Sequence, residues 1–181
     1  MTHFFYALIT AAFIGSSFTI VNPITNPTEP IPSIHWYTLE EAAAANLLER
    51  KNILIDIYSD RCKYTFAQDN DRFGSKEVTD YINKNFYCVR FNPEHENLVE
   101  WNGRKYTMIR KGELKVNAFA YNLLNGKMTY PSMVLMNTNY QRINTVKGYL
   151  NTDDILTRLE HAANVEYKRD DYKEYVKRIK N

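Results

Sequence analysis

The sequence predicts an α/β protein, a three-layer sandwich in which a central mixed sheet lies between helices. Residues 52–59 are apolar and rich in Ile, which is typical of a strand buried on both faces of a parallel or mixed sheet. Helix-like and strand-like segments then follow one another in the order that such a sandwich requires.

Composition limits the chain to one folded domain with terminal extensions. Its 181 residues are 44% hydrophobic and 24% charged, enough for one sizeable core. The 23 basic and 21 acidic residues occur together along the chain and leave a net charge of +2, so no concentrated basic face for nucleic acid is expected. Two cysteines and four dispersed histidines form no spaced ligand motif, and we expect neither a metal nor another cofactor.

The amino terminus carries the one targeting signal. Residues 4–14 are uncharged and apolar, and small residues follow, as in the core of a signal peptide. No Lys or Arg precedes this run and no clear Ala-x-Ala site follows it, so an uncleaved anchor extending to Val21 is an alternative, as is an ordinary buried element. The sequence therefore predicts export, with residues 1–21 as signal peptide or anchor.

Residues 22–33 form the predicted linker between this segment and the folded domain. They hold four of the six prolines, interleaved with Asn and Thr, a composition typical of an extended connection. The domain itself is expected over residues 34–166.

The first half of the domain predicts helix, strand, helix and strand. Thr38 and Glu41 form a capping-box pattern that begins a helix over 39–51. The buried strand 52–59 leads through a turn to a polar, helix-like stretch with a break at Gly74-Ser75. The predicted elements that follow are a helix to about 85 and a strand over 86–92.

The second half begins with an insertion at about 93–113. Segments 98–101 and 104–108 flank Asn102-Gly103, the strongest short signal for a β-hairpin. The later predicted elements are a helix over 116–124 that ends at Asn125-Gly126, a second hairpin of strands 132–136 and 142–147, and a helix capped by Thr152 that runs to about 166.

Residues 167–181 alternate basic and acidic side chains and contain few apolar ones. This pattern predicts a charged C-terminal extension, either a solvated helix or a frayed tail. Contact of its basic residues with a membrane surface or a partner is an alternative.

Two motifs, which occur in the same order as in the thioredoxin-like superfamily, resemble that family and exported bacterial thioredoxin-related proteins in particular. Residues 54–62 are similar to the family's strand and active-site turn, with Asp56 six positions before Cys62. Tyr130-Pro131 before an apolar strand is similar to the family's cis-proline loop. The chain departs from the pattern where Arg61 replaces the usual Trp and Thr65 replaces the second cysteine of Cys-x-x-Cys.

The resemblance, which covers about residues 34–163, implies roles for these positions. Cys62 would be the nucleophile, and Asp56 a buried acid that assists proton transfer, although a structural role for Asp56 is equally open because the second cysteine is absent. Pro131 would be cis and, with Tyr130, would hold an extended partner peptide, whereas a trans proline that starts a strand is the alternative. Other expected substrate-binding side chains are Arg61 and Tyr64.

The residues around Cys62 support reactivity on physical grounds. A thiol placed where a strand passes into a helix faces unpaired amide donors, and adjacent cations favour its thiolate form. Thr65, one turn later, can donate a hydrogen bond to the sulfur but cannot attack a mixed disulfide. Cys88, inside a predicted strand, is expected to be a buried inert thiol, and a Cys62–Cys88 disulfide is disfavoured because the resemblance places Cys88 on a neighbouring strand, away from the active loop.

These observations predict an exported, periplasmic monothiol oxidoreductase that acts on protein or small-molecule thiols through Cys62. Two alternatives stay open. In one, Cys62 is a relic and the chain is a non-catalytic interaction module or a subunit of an envelope complex. In the other, the inserted hairpin is the docking surface. Aromatic side chains, including Tyr58 and Trp101, either surround the groove or pack in the core.

Overall fold

The computed structural model describes residues 33–62, 73–164 and 171–180. The predicted signal or anchor, nearly all of the linker, and the site positions Tyr64 and Thr65 lie outside these ranges. Within them, no helix combines the length and the apolar character needed to cross a membrane.

A central sheet of five strands organises the domain, with the order β1-β3-β2-β7-β8. Strands β1, β2 and β3 are mutually parallel where they pair, whereas β7 is antiparallel to both β2 and β8. The predicted mixed sheet is therefore confirmed. The strand bounds are β1 Trp36–Tyr37, β2 Asn52–Ile57, β3 Phe86–Phe91, β7 Ser132–Met136 and β8 Arg142–Lys147.

Helices cover both faces of this sheet because β2 alternates its side chains between two cores. Ile53, Ile55 and Ile57 belong to one core, and Leu54 belongs to the other. The first core includes residues of α1 Leu39–Leu48 and α3 Ala118–Leu123, and the second includes residues of α2 Lys76–Asn85 and α4 Thr152–Ala163. The described residues thus form the three layers that the sequence predicts.

The capping box at the start of α1 is confirmed. Glu41 donates its backbone N–H to Thr38 Oγ1 at 3.1 Å, and Thr38 donates its own to Glu41 Oε2 at 2.8 Å. The helix ends at Leu48, before the predicted Lys51. Asn46 explains the early end, because its buried side chain accepts the Lys51 N–H at 3.1 Å and draws the chain into β2.

The insertion is a three-stranded antiparallel sheet, with the order β4-β5-β6. The predicted hairpin and its turn are confirmed, since Asn102 and Gly103 both have positive φ, at 49° and 74°. The third strand was not predicted: Leu114–Asn117 is β6, so the following helix begins at Ala118 and not at residue 116. Asn117 caps that helix by accepting the Phe119 N–H at 2.8 Å. The other two strands are β4 Leu98–Trp101 and β5 Arg104–Lys111.

Two sequence predictions near the C terminus are wrong in detail. Asn151, not Thr152, caps α4, because its side chain accepts the Asp154 N–H at 2.8 Å, and the helix ends at Ala163. A further helix, α5, covers Tyr172–Ile179 and is not simply solvated. Its Tyr175 is buried and lies 5.0 Å, centroid to centroid, from the ring of His161. Aromatic side chains anchor this charged segment where aliphatic ones are scarce.

Candidate functional site

Cys62 lies in a tight turn that follows the carboxyl end of β2. Tyr58 donates its N–H to Phe91 O at 3.1 Å and so extends the contact between the chain after β2 and the end of β3. Cys62 then donates its N–H to Ser59 O at 3.0 Å, which closes the turn. The side chain of Cys62 is half-buried and its thiol is free. The turn therefore presents a reduced sulfur at one edge of the sheet.

The segment before β7 meets Cys62 at this edge. The Tyr130–Pro131 peptide bond is cis, and Cys62 Sγ lies 3.7 Å from Tyr130 O. Ser132 Oγ donates to Thr129 O at 2.6 Å, and Gly148 donates its N–H to Pro131 O at 2.8 Å, so both sides of the segment are held. The structure thus brings together three of the residues that the sequence singles out: Cys62, Tyr130 and Pro131.

The loop after β3 also contacts the Cys62 turn, and sequence reasoning missed it. Glu94 Oε2 lies 3.4 Å from Arg61 Nε, and His95 Nε2 lies 3.3 Å from Asp60 Oδ2. Asn92 shapes the loop by accepting the Glu94 N–H at 3.0 Å. The available signal was topological, because parallel β2 and β3 place their carboxyl ends, and the residues that follow, at one edge.

The predicted substrate-binding residue Arg61 is exposed, and Glu94 is its ionic partner. Surface pairs of this kind contribute little to stability, so the contact mainly orients the two side chains. Tyr130, which the sequence also predicts to bind substrate, is half-buried. Burial, together with the negative charge of Glu94, raises the pKa of the Tyr130 hydroxyl to about 12, although Arg61 opposes this shift. Tyr130 is therefore a neutral phenol at physiological pH.

Asp56 is buried in β2 and faces the core that contains Leu54. Its Oδ2 lies 3.5 Å from Nη2 of Arg90, its register partner on β3. The Arg90 guanidinium also lies over the rings of Trp36, at 4.6 Å, and Tyr58, at 5.6 Å. Asp56 thus has a charge partner within the sheet, which supports its structural role; its catalytic role stays a prediction.

The second cysteine lies in a different environment. Cys88 is buried in the middle of β3, the strand next to β2, and is also a free thiol. Burial raises the pKa of the Cys88 thiol well above its usual range, and the negative charge of Asp56 acts in the same direction. The protein therefore holds one accessible and one inert thiol, with no disulfide between them.

Two further sequence expectations can be placed. Trp101 is buried in the insertion, against Phe119 and Tyr140, and so belongs to the core and not to the Cys62 groove. Among residues 33–62, 73–164 and 171–180, no cluster of three or more His, Cys, Asp or Glu side chains has the arrangement of a metal site.

Comparison with known proteins places this geometry in a fold family. No protein-family model and no curated protein matches the sequence. Solved structures do match: a thioredoxin from Thermus thermophilus has 12% identity and a TM-score of 0.54, covering 74% of this chain and 90% of that one. The DsbH oxidoreductase has 12% identity and a TM-score of 0.51, covering 82% and 94%. A putative disulphide-isomerase from Bacteroides thetaiotaomicron has 16% identity and a TM-score of 0.50, covering 72% and 92%.

These similarities show that the chain has the thioredoxin fold, as the sequence predicts. Because the identities are low, they show the fold and leave the reaction to be argued from the residues.

The contrast between the two thiols can be tested with iodoacetamide. At mildly alkaline pH, the native protein is expected to take up one carbamidomethyl group, on Cys62, because Cys88 is buried and protonated. The denatured protein should take up two, as read by intact mass. A Cys62→Ser variant is the control and should take up none while folded. Labelling of Cys88 in the native protein would contradict this account.

Replacement of Asp56 by Asn tests its role. The change leaves Arg90 without its carboxylate inside the sheet, and we expect the free energy of unfolding to fall by about 2 kcal/mol in urea titrations. The rate of Cys62 alkylation in the folded protein should stay the same. The matched control is Asp60→Asn, which alters an exposed contact and should change stability by less than about 0.5 kcal/mol. Unchanged stability with slower alkylation would instead indicate a direct role at the thiol.

Proposed function

We propose that the chain is an exported monothiol oxidoreductase that forms mixed disulfides through Cys62. The observation that carries the proposal is the position of Cys62 Sγ, half-buried and 3.7 Å from the Tyr130 carbonyl oxygen. A thiol beside a backbone carbonyl can attack a partner while that backbone receives the partner's extended chain. The Thermus thioredoxin and DsbH oxidoreductase matches give this arrangement a redox-active fold as its context.

The chemistry follows from having one accessible thiol. The Cys62 thiolate attacks one sulfur of a partner disulfide, the bond between the two partner sulfurs breaks, and the second sulfur leaves as a thiolate that takes up a proton. The product is a mixed disulfide between Cys62 and the partner. Cys62 Sγ then no longer donates to Tyr130 O, so that carbonyl can accept an amide N–H of the bound partner.

Release needs a second thiol from outside the chain. Cys88 is the other cysteine of the sequence, and it is buried in β3. An external thiol therefore attacks the mixed disulfide on the Cys62 sulfur or on the partner sulfur. Attack on the partner sulfur regenerates the Cys62 thiolate and moves the disulfide to the external thiol and the partner. The net change on that route is exchange, because one external thiol takes the place of the partner sulfur that left. Attack on the Cys62 sulfur instead frees the partner thiol, and a second external thiol then cleaves the new mixed disulfide on Cys62, so that the original disulfide is reduced and two external thiols are oxidised to one disulfide.

Other residues have supporting roles in the proposal. Thr65 would support the Cys62 thiolate and Tyr64 would contact the substrate; both proposed roles rest on the sequence. Arg61, next to Cys62 in the turn, is exposed and can exchange its surface pair with Glu94 for contact with an acidic partner. Protein or small-molecule thiols are the proposed partners.

Location in the bacterial periplasm is part of the proposal and rests on the amino-terminal sequence. Residues 4–14 match the apolar core of a signal peptide, and a proline-rich linker follows. Whether it is cleaved or kept as an anchor, this segment would place the domain where protein disulfides form and persist.

A non-catalytic interaction module is the second candidate, and the lack of an accessible resolving thiol is the observation that favours it. A partner that binds the groove near Tyr130 and Pro131 without exchange would need no second cysteine. In that case Cys62 would be a relic, and the chain could act as a subunit of an envelope complex.

Partner capture from an envelope extract separates the two candidates. Under non-reducing conditions, the tagged wild type should retain partners in high-mass species that dithiothreitol releases. The Cys62→Ser variant should lose them, and the Cys88→Ala control should keep them because that thiol is buried. If Cys62→Ser captures the same partners as the wild type, binding without disulfide exchange is the function.

A further inference from the structure

A cavity lies at the end of the sheet opposite Cys62. It has a volume of about 370 Å³, is open to solvent, and is lined by residues of β4, β5, α3, the end of β7 and the turn between β7 and β8. Met136, in its wall, pairs with Ile53 at the amino end of β2, whereas Cys62 follows the carboxyl end of that strand. The two sites are therefore separated by the length of β2, about 13 Å of extended chain, or more.

Aromatic rings form the floor and mouth of this cavity. The Trp101 ring lies 4.9 Å from Tyr140 and 5.8 Å from Phe119, and Tyr106 lies 5.4 Å from Phe119, all between centroids. Trp101 and Phe119 are buried, whereas Tyr106 and Tyr140 are partly exposed. A ring that enters the cavity would meet these two tyrosines. The volume of the cavity is within the range of small-molecule binding sites.

The charged side chain among the residues that line the cavity is positive. Arg104 pairs with Trp101 across the β4–β5 hairpin and lies on the same face of β5 as Tyr106. It is exposed, and no carboxylate is among the side chains that line the cavity. Its neighbour Lys105 differs, because it lies on the other face and is paired with Glu100 at 2.9 Å. Among the described residues that line the cavity, the Arg104 guanidinium thus has no carboxylate beside it, and it lies next to aromatic rings.

Neutral hydrogen-bond donors and acceptors complete the lining. Asn102 and Asn122 are exposed at the cavity and carry amide groups suited to a peptide-like N–H or C=O. Together with Arg104, they give the cavity polar groups that can fix the orientation of a bound ligand beside the aromatic rings.

Tyr140 adds an observation from the backbone. Its φ is 63°, a left-handed conformation that costs energy for a bulky residue and that Gly or Asn would adopt more easily. The Tyr140 N–H is bonded to Asn137 O at 2.9 Å, so the turn holds this conformation. The Tyr140 ring, which packs against Trp101, is thus held by a strained backbone. Strained residues of this kind cluster at functional sites.

We propose that this cavity binds a ring-bearing carboxylate, with the ring against Tyr106 and Tyr140 and the carboxylate on the Arg104 guanidinium. The planar guanidinium matches a carboxylate with two parallel hydrogen bonds. The same chemistry is found in the C-terminal aromatic residue of a polypeptide and in a free aromatic acid. The proposal does not depend on Cys62 or on redox activity.

Calorimetric titration of the full chain with N-acetyl-L-phenylalanine tests the proposal, and N-acetyl-L-phenylalanine amide is the neutral counterpart. The acid is expected to bind, and the amide to bind at least about tenfold more weakly because it lacks the charge that Arg104 recognises. Arg104→Gln should weaken binding of the acid by about tenfold. Lys105→Gln removes the same charge from the opposite face and should leave the affinity unchanged.

A second pair of variants tests the ring. Tyr140→Phe keeps the ring and should retain binding, whereas Tyr140→Asn suits the backbone conformation, removes the ring and should weaken it. Cys62→Ser should bind the acid like the wild type, which separates this outcome from that of the proposed function.

A pentapeptide that ends in a free-carboxylate Phe distinguishes the two sources of the ring-bearing carboxylate. Tighter binding of the pentapeptide than of the single residue indicates a polypeptide terminus, and equal binding indicates a free acid.

The proposal is overturned if the acid does not bind at millimolar concentration or if acid and amide bind equally. It is also overturned if Lys105→Gln weakens binding as much as Arg104→Gln.

Discussion

The register of β7 against β2 fixes which loops meet at the edge of the sheet that carries Cys62. The antiparallel ladder runs from Ile53 and Met136 to Ile57 and Ser132. Because this last pair is fixed, the turn after β2 and the segment before β7 must meet at the same edge. A shift of one residue would reverse the faces of β7 and move Tyr130 away from Cys62. The contact between Cys62 Sγ and Tyr130 O is thus a consequence of the sheet.

The parallel pairing of β2 and β3 decides the surroundings of Asp56 and Cys88. It places Asp56 opposite Arg90 and Leu54 opposite Cys88, inside one core. The acid therefore has a charge partner, and the inner thiol is kept protonated by burial. Thiol chemistry is left to Cys62, beyond the end of the strand. The fold thus yields one accessible thiol, Cys62, and one buried thiol, Cys88.

Patterns among residues close in sequence predicted much of the fold. The apolar strand β2, the Thr38 capping box and the Asn102-Gly103 turn depend on neighbours in sequence, and all three are confirmed. Contacts between distant segments were missed, namely Glu94 and His95 on the Cys62 turn, because ion pairs of this kind leave no periodic pattern. The helix α5 was underestimated because tyrosines replace the aliphatic residues on which hydrophobic patterning relies. The roles of Tyr64 and Thr65 stay predictions.

The central claim is that Cys62 forms a mixed disulfide that the chain cannot release by itself. Intact-mass measurement after incubation with glutathione disulfide tests it, with a Thr65→Cys variant that restores the second thiol of the motif. We expect the wild type to gain one glutathione on Cys62 and to keep it until an external thiol is added. The variant should expel the glutathione and form an internal disulfide. A wild type that gains no glutathione, or that sheds it unaided, would contradict the account.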